Sequence, residues 1–187
     1  MEFLLPAASY LLGCVSPGYL LVRRATGADL RDRHTGSTGA RNAGRVAGRR
    51  VAVAVFTLDL AKGAVAVALG RLLGLDAAGT AACMAAVVAG HVLPVQLRLR
   101  GGRGLSTALG AIAVLDPTAA LAGLSVAIVV ALVTRAPTAA GIAAAAAAPV
   151  VQLALGRPAA EVAWVASASA LIVAAHARRD AGGYDQG

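Results

Sequence analysis

The 187-residue sequence contains few aromatic residues and few charged ones. Aromatic residues make up 3% of the chain, which leaves no platform on which single-stranded nucleic acid could stack its bases. Charged residues make up 14%, whereas a soluble domain carries about 25%. Hydrophobic residues make up 58%, and the mean hydropathy is +0.74. These figures exclude an ordinary soluble domain and a nucleic-acid partner, and they indicate a membrane protein.

Cysteine is also scarce. Cys14 and Cys83 both lie inside apolar stretches, so they predict no disulfide framework. Residues 10–14 faintly resemble a lipoprotein cleavage box, but no Lys or Arg precedes them, where a signal peptide carries its positive charge. We therefore interpret the first apolar stretch as an uncleaved membrane helix.

Apolar stretches of membrane-spanning length recur along the whole chain. The stretch after residue 104 is interrupted at Asp116-Pro117, because proline and the residue before it disfavour helix. We predict an all-α integral membrane protein, a single membrane domain over residues 1–187, with seven transmembrane helices. The predicted helices are 3–22, 51–73, 77–97, 105–115, 118–134, 139–155 and 160–175. The fourth is too short to cross a bilayer alone and is predicted to be half-spanning.

Arginine predicts the orientation of these helices. The net charge is +8, and fourteen arginines lie in the connections after the first, third and fifth helices and in the tail. Only Arg71 and Arg157 lie toward the other side. Basic residues favour the cytosolic side, so we predict cytosolic loops at about 23–50 and 98–104, a cytosolic tail at 176–187, and an N-terminus outside.

Three ionisable residues interrupt the predicted spans. Such groups cost on the order of 3 kcal/mol or more each inside a bilayer, and they often mark functional sites. Asp59 and Lys62 share one helical face, roughly 12 and 16 Å from the cytosolic end of their helix, and His91 lies about 10 Å from the same end of the next. These depths favour one polar cavity that opens to the cytosol, although a structural ion pair and a hydrogen-bonded core histidine would explain them equally well.

Two glycine-rich loops flank this predicted cavity. Residues 101–104 (GGRG) lead into the short helix, whose positive N-terminal dipole and Ser106 and Thr107 hydroxyls favour an anion. Arg103 adds a charge-assisted hydrogen-bonding group, and residues 36–45 (GSTGARNAGR) have the same composition. Each loop alone is typical of a cytosolic connector, but together, beside the buried ionisable residues, they predict phosphate binding.

Metal and nucleotide chemistry have no counterpart in the sequence. The three histidines, His34, His91 and His176, lie in different segments, and no Walker-type loop or nucleophile elbow occurs. The sequence therefore predicts neither a metal nor a cofactor.

Five motifs occur in one order along the chain: 16–20 (SPGYL), 36–45, 58–63 (LDLAKG), 90–95 (GHVLPV) and 101–104. In this order they resemble the bacterial acyl-phosphate:glycerol-3-phosphate acyltransferases over essentially the whole chain. The resemblance implies seven membrane helices with an external N-terminus, which agrees with the arginine distribution. It also implies metal-independent transfer of a fatty acyl group from acyl phosphate to the 1-hydroxyl of glycerol 3-phosphate, which forms lysophosphatidic acid for phospholipid synthesis.

The resemblance further implies site residues, partners and location. It assigns phosphate binding to the two loops and the start of the short helix: Ser37, Asn42, Arg45, Gly102, Arg103, Gly104 and Thr107. It assigns the catalytic group to Asp59, Lys62, His91 and His176, the last of which orients glycerol phosphate. The implied partners are acyl phosphate, glycerol 3-phosphate and membrane lipid, for a monomer in the bacterial inner membrane with its active site facing the cytosol.

The loops and tail differ from the usual family pattern at three arginines. Arg41 stands where threonine is usual, Arg103 where lysine is usual, and Arg179 where asparagine is usual. Two alternatives therefore stay open. One is a divergent paralogue that binds a phosphate-bearing lipid or alcohol without acyl transfer. The other is an anion transporter, which the confinement of ionisable span residues to the first half disfavours.

Overall fold

The computed structural model describes residues 3–180, and side chains as far as Arg178. Within residues 3–180 the chain forms nine α-helices, two short 3-10 helices and no strand. The α-helices are α1 (Leu4–Cys14), α2 (Pro17–Thr26), α3 (Ala40–Ala47), α4 (Arg49–Leu72), α5 (Ala77–Val92), α6 (Leu105–Leu115), α7 (Pro117–Thr134), α8 (Pro137–Ala154) and α9 (Ala159–Asp180). The 3-10 helices are Leu30–Asp32 and Val95–Leu97. The all-α prediction is therefore confirmed.

Six helical segments in the described chain are long and apolar enough to cross a membrane. They are Leu4–Thr26, Arg49–Leu72, Ala77–Leu97, Pro117–Thr134, Pro137–Ala154 and Ala159–Arg178. The predicted short helix, α6, has the bounds expected from sequence. Its 11 residues rise only about 16 Å, roughly half the hydrocarbon thickness. The number of crossings and their orientation stay predictions.

The first span differs from the continuous helix predicted over 3–22. It divides into α1 and α2 at Val15 and Ser16, which have extended backbone angles and which we call the α1–α2 break. Pro17 is the cause, because it has no N–H to continue the helix and its ring disfavours helical geometry at the preceding residue. Pro17 instead opens α2, where its fixed φ suits the first helical position.

The predicted polar loop at 23–50 contains helical structure that the sequence analysis missed. Ala40–Ala47 forms α3, and Ala43 is fully buried with Val22, Leu30 and Val55. The spacing of Ala40, Ala43 and Ala47 is that of one helical face, but the surrounding arginines and glycines obscured it in the sequence. The loop is therefore anchored by a small apolar core of its own.

Helix α5 lies at the centre of the bundle and contacts α1, α4, α6 and α9. Its residues Val87 and Val88 are fully buried. Helices α4 and α6 approach closely because Gly63 and Gly110 face the partner backbone, where a Cβ would overlap the carbonyl oxygens of Thr107 and Leu60 respectively. Helices α7 and α8 form a hairpin that packs on α6 and α9.

A polar cluster closes the end of the bundle opposite the glycine-rich loops. Asp116 caps the N-terminus of α7 by accepting a hydrogen bond from the Ala119 amide, and Arg157 donates to its carboxylate at 2.8 and 3.2 Å. Burial acts to raise the pKa of Asp116, but these hydrogen bonds prevail and hold the pKa below its usual range. Gln152 and Glu161, hydrogen-bonded at 2.8 Å, extend the cluster to α8 and α9.

The lowered pKa of Asp116 predicts a pH-dependent contribution to stability. A carboxylate whose pKa is lower in the folded than in the unfolded state stabilises the fold above its unfolded pKa of about 4, and loses this effect as the pH falls through its folded pKa. Asp116→Asn keeps a capping side chain but removes the charge. We expect its melting temperature to lie several degrees below that of the parent protein at pH 7, and the difference to be smaller near pH 3. Thermal melting in detergent measures both differences.

Asp76→Asn is the matched control, because Asp76 is an exposed cap of α5 that accepts from the Gly79 amide at 2.7 Å. We expect it to change the melting temperature little at either pH. If the melting-temperature difference between Asp116→Asn and the parent protein stays constant or grows on acidification, the charge of Asp116 is not what stabilises the fold.

Candidate active site

A polar cavity of about 550 Å³ lies where the two glycine-rich loops meet. Its walls come from the first loop, α3, the ends of α5 and α9, the start of α6 and the start of α8. Seven of the site residues predicted from sequence line it: Ser37, Asn42, Arg45, His91, Arg103, Gly104 and His176. The fold thus brings together segments that are up to 139 residues apart in the chain, from Ser37 to His176.

Asn42 organises the first loop. Its side-chain amide nitrogen lies 3.1, 3.0 and 2.8 Å from the backbone carbonyl oxygens of Leu30, Arg33 and Ser37, which share its two N–H groups. Asn42 is buried, and the Ser37 hydroxyl accepts from the Gly39 amide at 3.3 Å. Because the donors of Asn42 already serve these carbonyls, this side chain holds the loop in shape around the cavity.

The second loop positions the N-terminus of α6. Gly104, the residue before the helix, has φ +89°, a left-handed conformation that favours glycine. The Gly102 amide donates to the His91 carbonyl at 2.9 Å, and the Gly102 Cα packs so closely on the His91 ring that a Cβ would overlap its Nε2. Arg103 is half-buried on the cavity wall, next to the open helix N-terminus.

One contact joins the two loops directly, and another joins the two short 3-10 helices that precede them. The Thr38 amide donates to the Gly101 carbonyl at 3.3 Å, and Arg31 donates to the Leu97 carbonyl at 3.1 Å. Arg31 is itself held by Asp29, whose carboxylate accepts from it at 2.6 and 3.0 Å. The hydrogen bond from Arg31 holds the pKa of Asp29 below its usual range, so this ion pair persists at neutral pH.

The three ionisable span residues contact each other, as their depths predicted. They are Asp59, Lys62 and His91, and of these only His91 lines the cavity. The Oδ1 atom of Asp59 lies 3.0 Å from the Lys62 Nζ and 3.3 Å from the His91 Nδ1. Asp59 is fully buried behind the histidine. Lys62 points away from the cavity and donates to backbone carbonyls of the first span.

His176 enters the cavity from α9. Its Nδ1 lies 2.8 Å from the carbonyl oxygen of Ile172, one helical turn earlier, and the side chain is buried. A carbonyl oxygen only accepts hydrogen bonds, so Nδ1 carries the proton in this contact. The predicted tail arginine, Arg179, lies outside the residues whose side chains are described.

Thr107 and Gly102 belong to the predicted site but lie outside the cavity lining. Thr107 is fully buried, and its carbonyl faces Gly63 on α4. Thr138, which does line the cavity, was missed. Arg41 donates to its hydroxyl at 2.9 Å across a sequence separation of 97 residues. An isolated Pro-Thr pair at the start of a span carries no signal that would have identified it.

An apolar cavity of about 180 Å³ adjoins the polar one. The two share Phe56, Leu105 and Ser106 as lining residues, and the apolar cavity extends between α6, α7, α8 and α9. Small residues such as Gly123 and Ala148 make room for it. Phe56 and Leu124 on its walls are 44% and 48% exposed, so the cavity borders the lipid-facing surface.

Charge distinguishes the polar cavity from its surroundings. Arg41, Arg45 and Arg103 line it, and among the described lining residues none carries a carboxylate. Three guanidinium groups and an open helix N-terminus favour anions, phosphate above all. The arrangement therefore combines a cavity suited to anions with an adjoining apolar cavity.

Comparison with known proteins places this arrangement in context. The family model described as "Glycerol-3-phosphate acyltransferase" matches residues 3–181. A glycerol-3-phosphate acyltransferase 1 of Desulfitobacterium hafniense (strain Y51) is 42% identical over 168 residues, which cover 90% of this chain and 83% of the relative. A glycerol-3-phosphate acyltransferase 1 of Bacillus cereus (strain ATCC 14579) is 37% identical over 135 residues, 72% of this chain and 74% of the relative.

Two crystal structures of PlsY (YgiH), an integral membrane glycerol 3-phosphate acyltransferase, have a similar fold. The glycerol 3-phosphate form superposes with a TM-score of 0.88 at 30% identity, over 96% of this chain and 90% of that one. The lysophosphatidic acid form gives a TM-score of 0.84 at 28% identity, over 99% and 94% of the two chains.

The contact between Gly102 and His91 predicts a local effect on stability. We expect Gly102→Ala to destabilise the protein by about 1–3 kcal/mol, the usual effect of an added methyl in a tightly packed site. Gly39→Ala is the control, since a Cβ there would lie 3.5 Å from the Ser37 hydroxyl, an ordinary contact. Thermal melting in detergent compares the two variants, and equal melting temperatures would contradict the close approach of Gly102 to the ring.

Proposed function

The chain belongs to the glycerol-3-phosphate acyltransferase family, as the order of its motifs predicted, and we propose that it transfers a fatty acyl group from acyl phosphate to the 1-hydroxyl of glycerol 3-phosphate. The product is lysophosphatidic acid, formed for phospholipid synthesis as the family resemblance implies. The observation that carries the proposal is the pair of adjoining cavities, one basic and one apolar. A phosphorylated lipid needs both.

Acyl phosphate is the donor that fits these cavities best. Donor and acceptor each carry a phosphate group, which matches a cavity lined by Arg41, Arg45 and Arg103. The fatty chain of the donor needs an apolar surface that borders the bilayer, as the cavity beside Phe56 and Leu124 does. Each buried CH₂ group contributes roughly 0.8 kcal/mol to binding.

The phosphate groups bind at the loops. Arg103 and the N-terminus of α6 provide charge and backbone N–H groups, and Ser37 and Arg45 face them from the first loop. Gly102 and Gly104 allow the backbone to approach, and Asn42 holds the first loop in place. Thr107 acts indirectly, from the contact between α4 and α6.

The chemistry requires orientation more than an enzyme nucleophile. The 1-hydroxyl oxygen attacks the acyl carbonyl carbon, the bond from that carbon to the phosphate oxygen breaks, and the hydroxyl proton leaves with the departing phosphate. His91, whose Nδ1 lies 3.3 Å from Asp59, organises the polar cavity, while His176 orients glycerol phosphate. Bringing both substrates into one cavity supplies much of the rate enhancement, and the arginines stabilise the developing charge.

The protein is a multi-pass integral membrane protein of this family, and we place its polar cavity on the cytosolic side of the inner membrane. The arginine distribution supports this orientation, since the glycine-rich loops lie on the arginine-rich side. The N-terminus is then outside, and the chain forms one membrane domain that works as a monomer, without a metal ion.

Acceptor-dependent release of phosphate tests the function. We expect the purified protein in detergent to release phosphate from palmitoyl phosphate only when glycerol 3-phosphate is present, and to form lysophosphatidic acid in equal amount. Phosphate is measured by colorimetry and the lipid by mass spectrometry. A folded preparation without acceptor-dependent release would favour a paralogue that binds phosphate-bearing lipids without acyl transfer.

Arginine substitutions test the phosphate site. We expect Arg103→Ala to lower kcat/KM by about 100-fold, the usual loss when an orienting charged contact is removed, and Ser37→Ala by a smaller factor. Arg103→Lys keeps the charge and should retain most of the activity, because lysine is usual at this position of the family motif. Arg50→Ala, on the exposed start of α4, is the control and should leave kcat/KM unchanged. Equal activities of Arg103→Ala and Arg50→Ala would show that the phosphate site lies elsewhere.

A further inference from the structure

The α1–α2 break leaves backbone carbonyls without helical partners. The carbonyl of Gly13 would accept from residue 17 in a continuous helix, but Pro17 has no N–H. Inside a bilayer no water replaces that donor, so the carbonyls of the break need side chains. Lys62 donates to the carbonyls of Gly13 and Val15 at 3.1 and 2.8 Å, and Gln96 donates to that of Cys14.

The same ammonium group joins the break to the active site. Lys62 Nζ lies 3.0 Å from Asp59 Oδ1, and the same oxygen lies 3.3 Å from His91 Nδ1. His91 in turn packs against Gly102 of the second loop. Lys62 is the sole lysine of the sequence, and its side chain is buried outside the cavity lining.

Helix α2, which starts at the break, supports the first loop directly. Gly18 lies so close to the Thr38 carbonyl that a Cβ would overlap its oxygen. The Thr38 amide on the other side donates to Gly101. The direction of α2 therefore decides where residues 37 and 38 lie, and through them how the two loops meet.

We infer that Lys62 is a positioning residue that sets both phosphate-binding loops at once. By binding the carbonyls of the break, Lys62 orients α2 and with it the first loop. By pairing with Asp59, it orients His91 and with it the second loop. It does not contact substrate. The inference rests on the proposed function only for its kinetic readout, because the positions of the loops also decide the affinity for glycerol 3-phosphate alone.

Two substitutions of Lys62 separate this role from a plain structural one. Lys62→Gln and Lys62→Met are both uncharged and nearly equal in length, but only glutamine donates to the carbonyls of the break. We expect Lys62→Met to raise KM for both glycerol 3-phosphate and palmitoyl phosphate by about 100-fold, and Lys62→Gln to keep both within about fivefold. Leu58→Met, on the lipid-facing side of α4, is the control for substitution in this helix and should leave both KM values unchanged.

KM is the decisive quantity, because a loss of folded protein lowers the apparent kcat but leaves KM unchanged. Equal KM values for Lys62→Gln and Lys62→Met would overturn the inference, and so would a Lys62→Met variant that loses only folded protein. If the parent protein proves inactive, the proposed acyl transfer fails. The dissociation constant of glycerol 3-phosphate, measured by calorimetry, then replaces KM in the same comparison.

A second variant tests the same coupling without altering a charge. Gly18→Ala places a methyl group against the Thr38 carbonyl and leaves Lys62, Asp59 and His91 in place. We expect it to raise the dissociation constant of glycerol 3-phosphate by at least tenfold in protein that elutes as a single peak on size exclusion. An unchanged dissociation constant would show that α2 does not set the loop, and would overturn the inference even if both Lys62 variants fail to fold.

Discussion

Inside a bilayer, no water is present to donate a hydrogen bond to a backbone carbonyl that loses its helical partner. The α1–α2 break creates such carbonyls in the middle of the first span. The ammonium group of Lys62 satisfies two of them. A buried ammonium needs a counter-charge, which Asp59 provides, and that carboxylate holds His91. One proline thus leads, through hydrogen bonds and one ion pair, to the position of a histidine in the active site.

Close packing decides the rest of the site. Without a hydrophobic driving force between helices in lipid, small residues at helix contacts provide the stabilising van der Waals contact. Gly63 and Gly110 let α4 and α6 touch at the backbone, which sets the depth of α6. The glycine-rich loop before α6 lies beside His91, since Gly102 packs against the ring of that residue. Arg103 of this loop is half-buried, and a charged contact is stronger where less water surrounds it.

The two cavities explain how one small membrane domain handles substrates of opposite character. The basic cavity, lined by three arginines, suits phosphate groups, and the apolar cavity between the α7–α8 hairpin and α6 borders the lipid-facing surface. Phe56, Leu105 and Ser106 belong to both walls, so the proposed substrates would have their reacting bond between the two environments. In the proposed reaction the acyl chain would stay in an apolar surrounding, while the phosphate groups would stay with the arginines.

The sequence alone determined the fold class, the family and most helix bounds, because apolar length, proline and charge act locally. The bounds of α6 were predicted to the residue. Its motifs also named seven residues that line the polar cavity. Sequence reasoning missed α3, whose apolar face is three alanines among arginines, and Thr138, which reaches the site only through the fold. Only the tertiary structure decided that Lys62 faces the first span while His91 faces the cavity, because the direction of a buried side chain depends on partners distant in sequence.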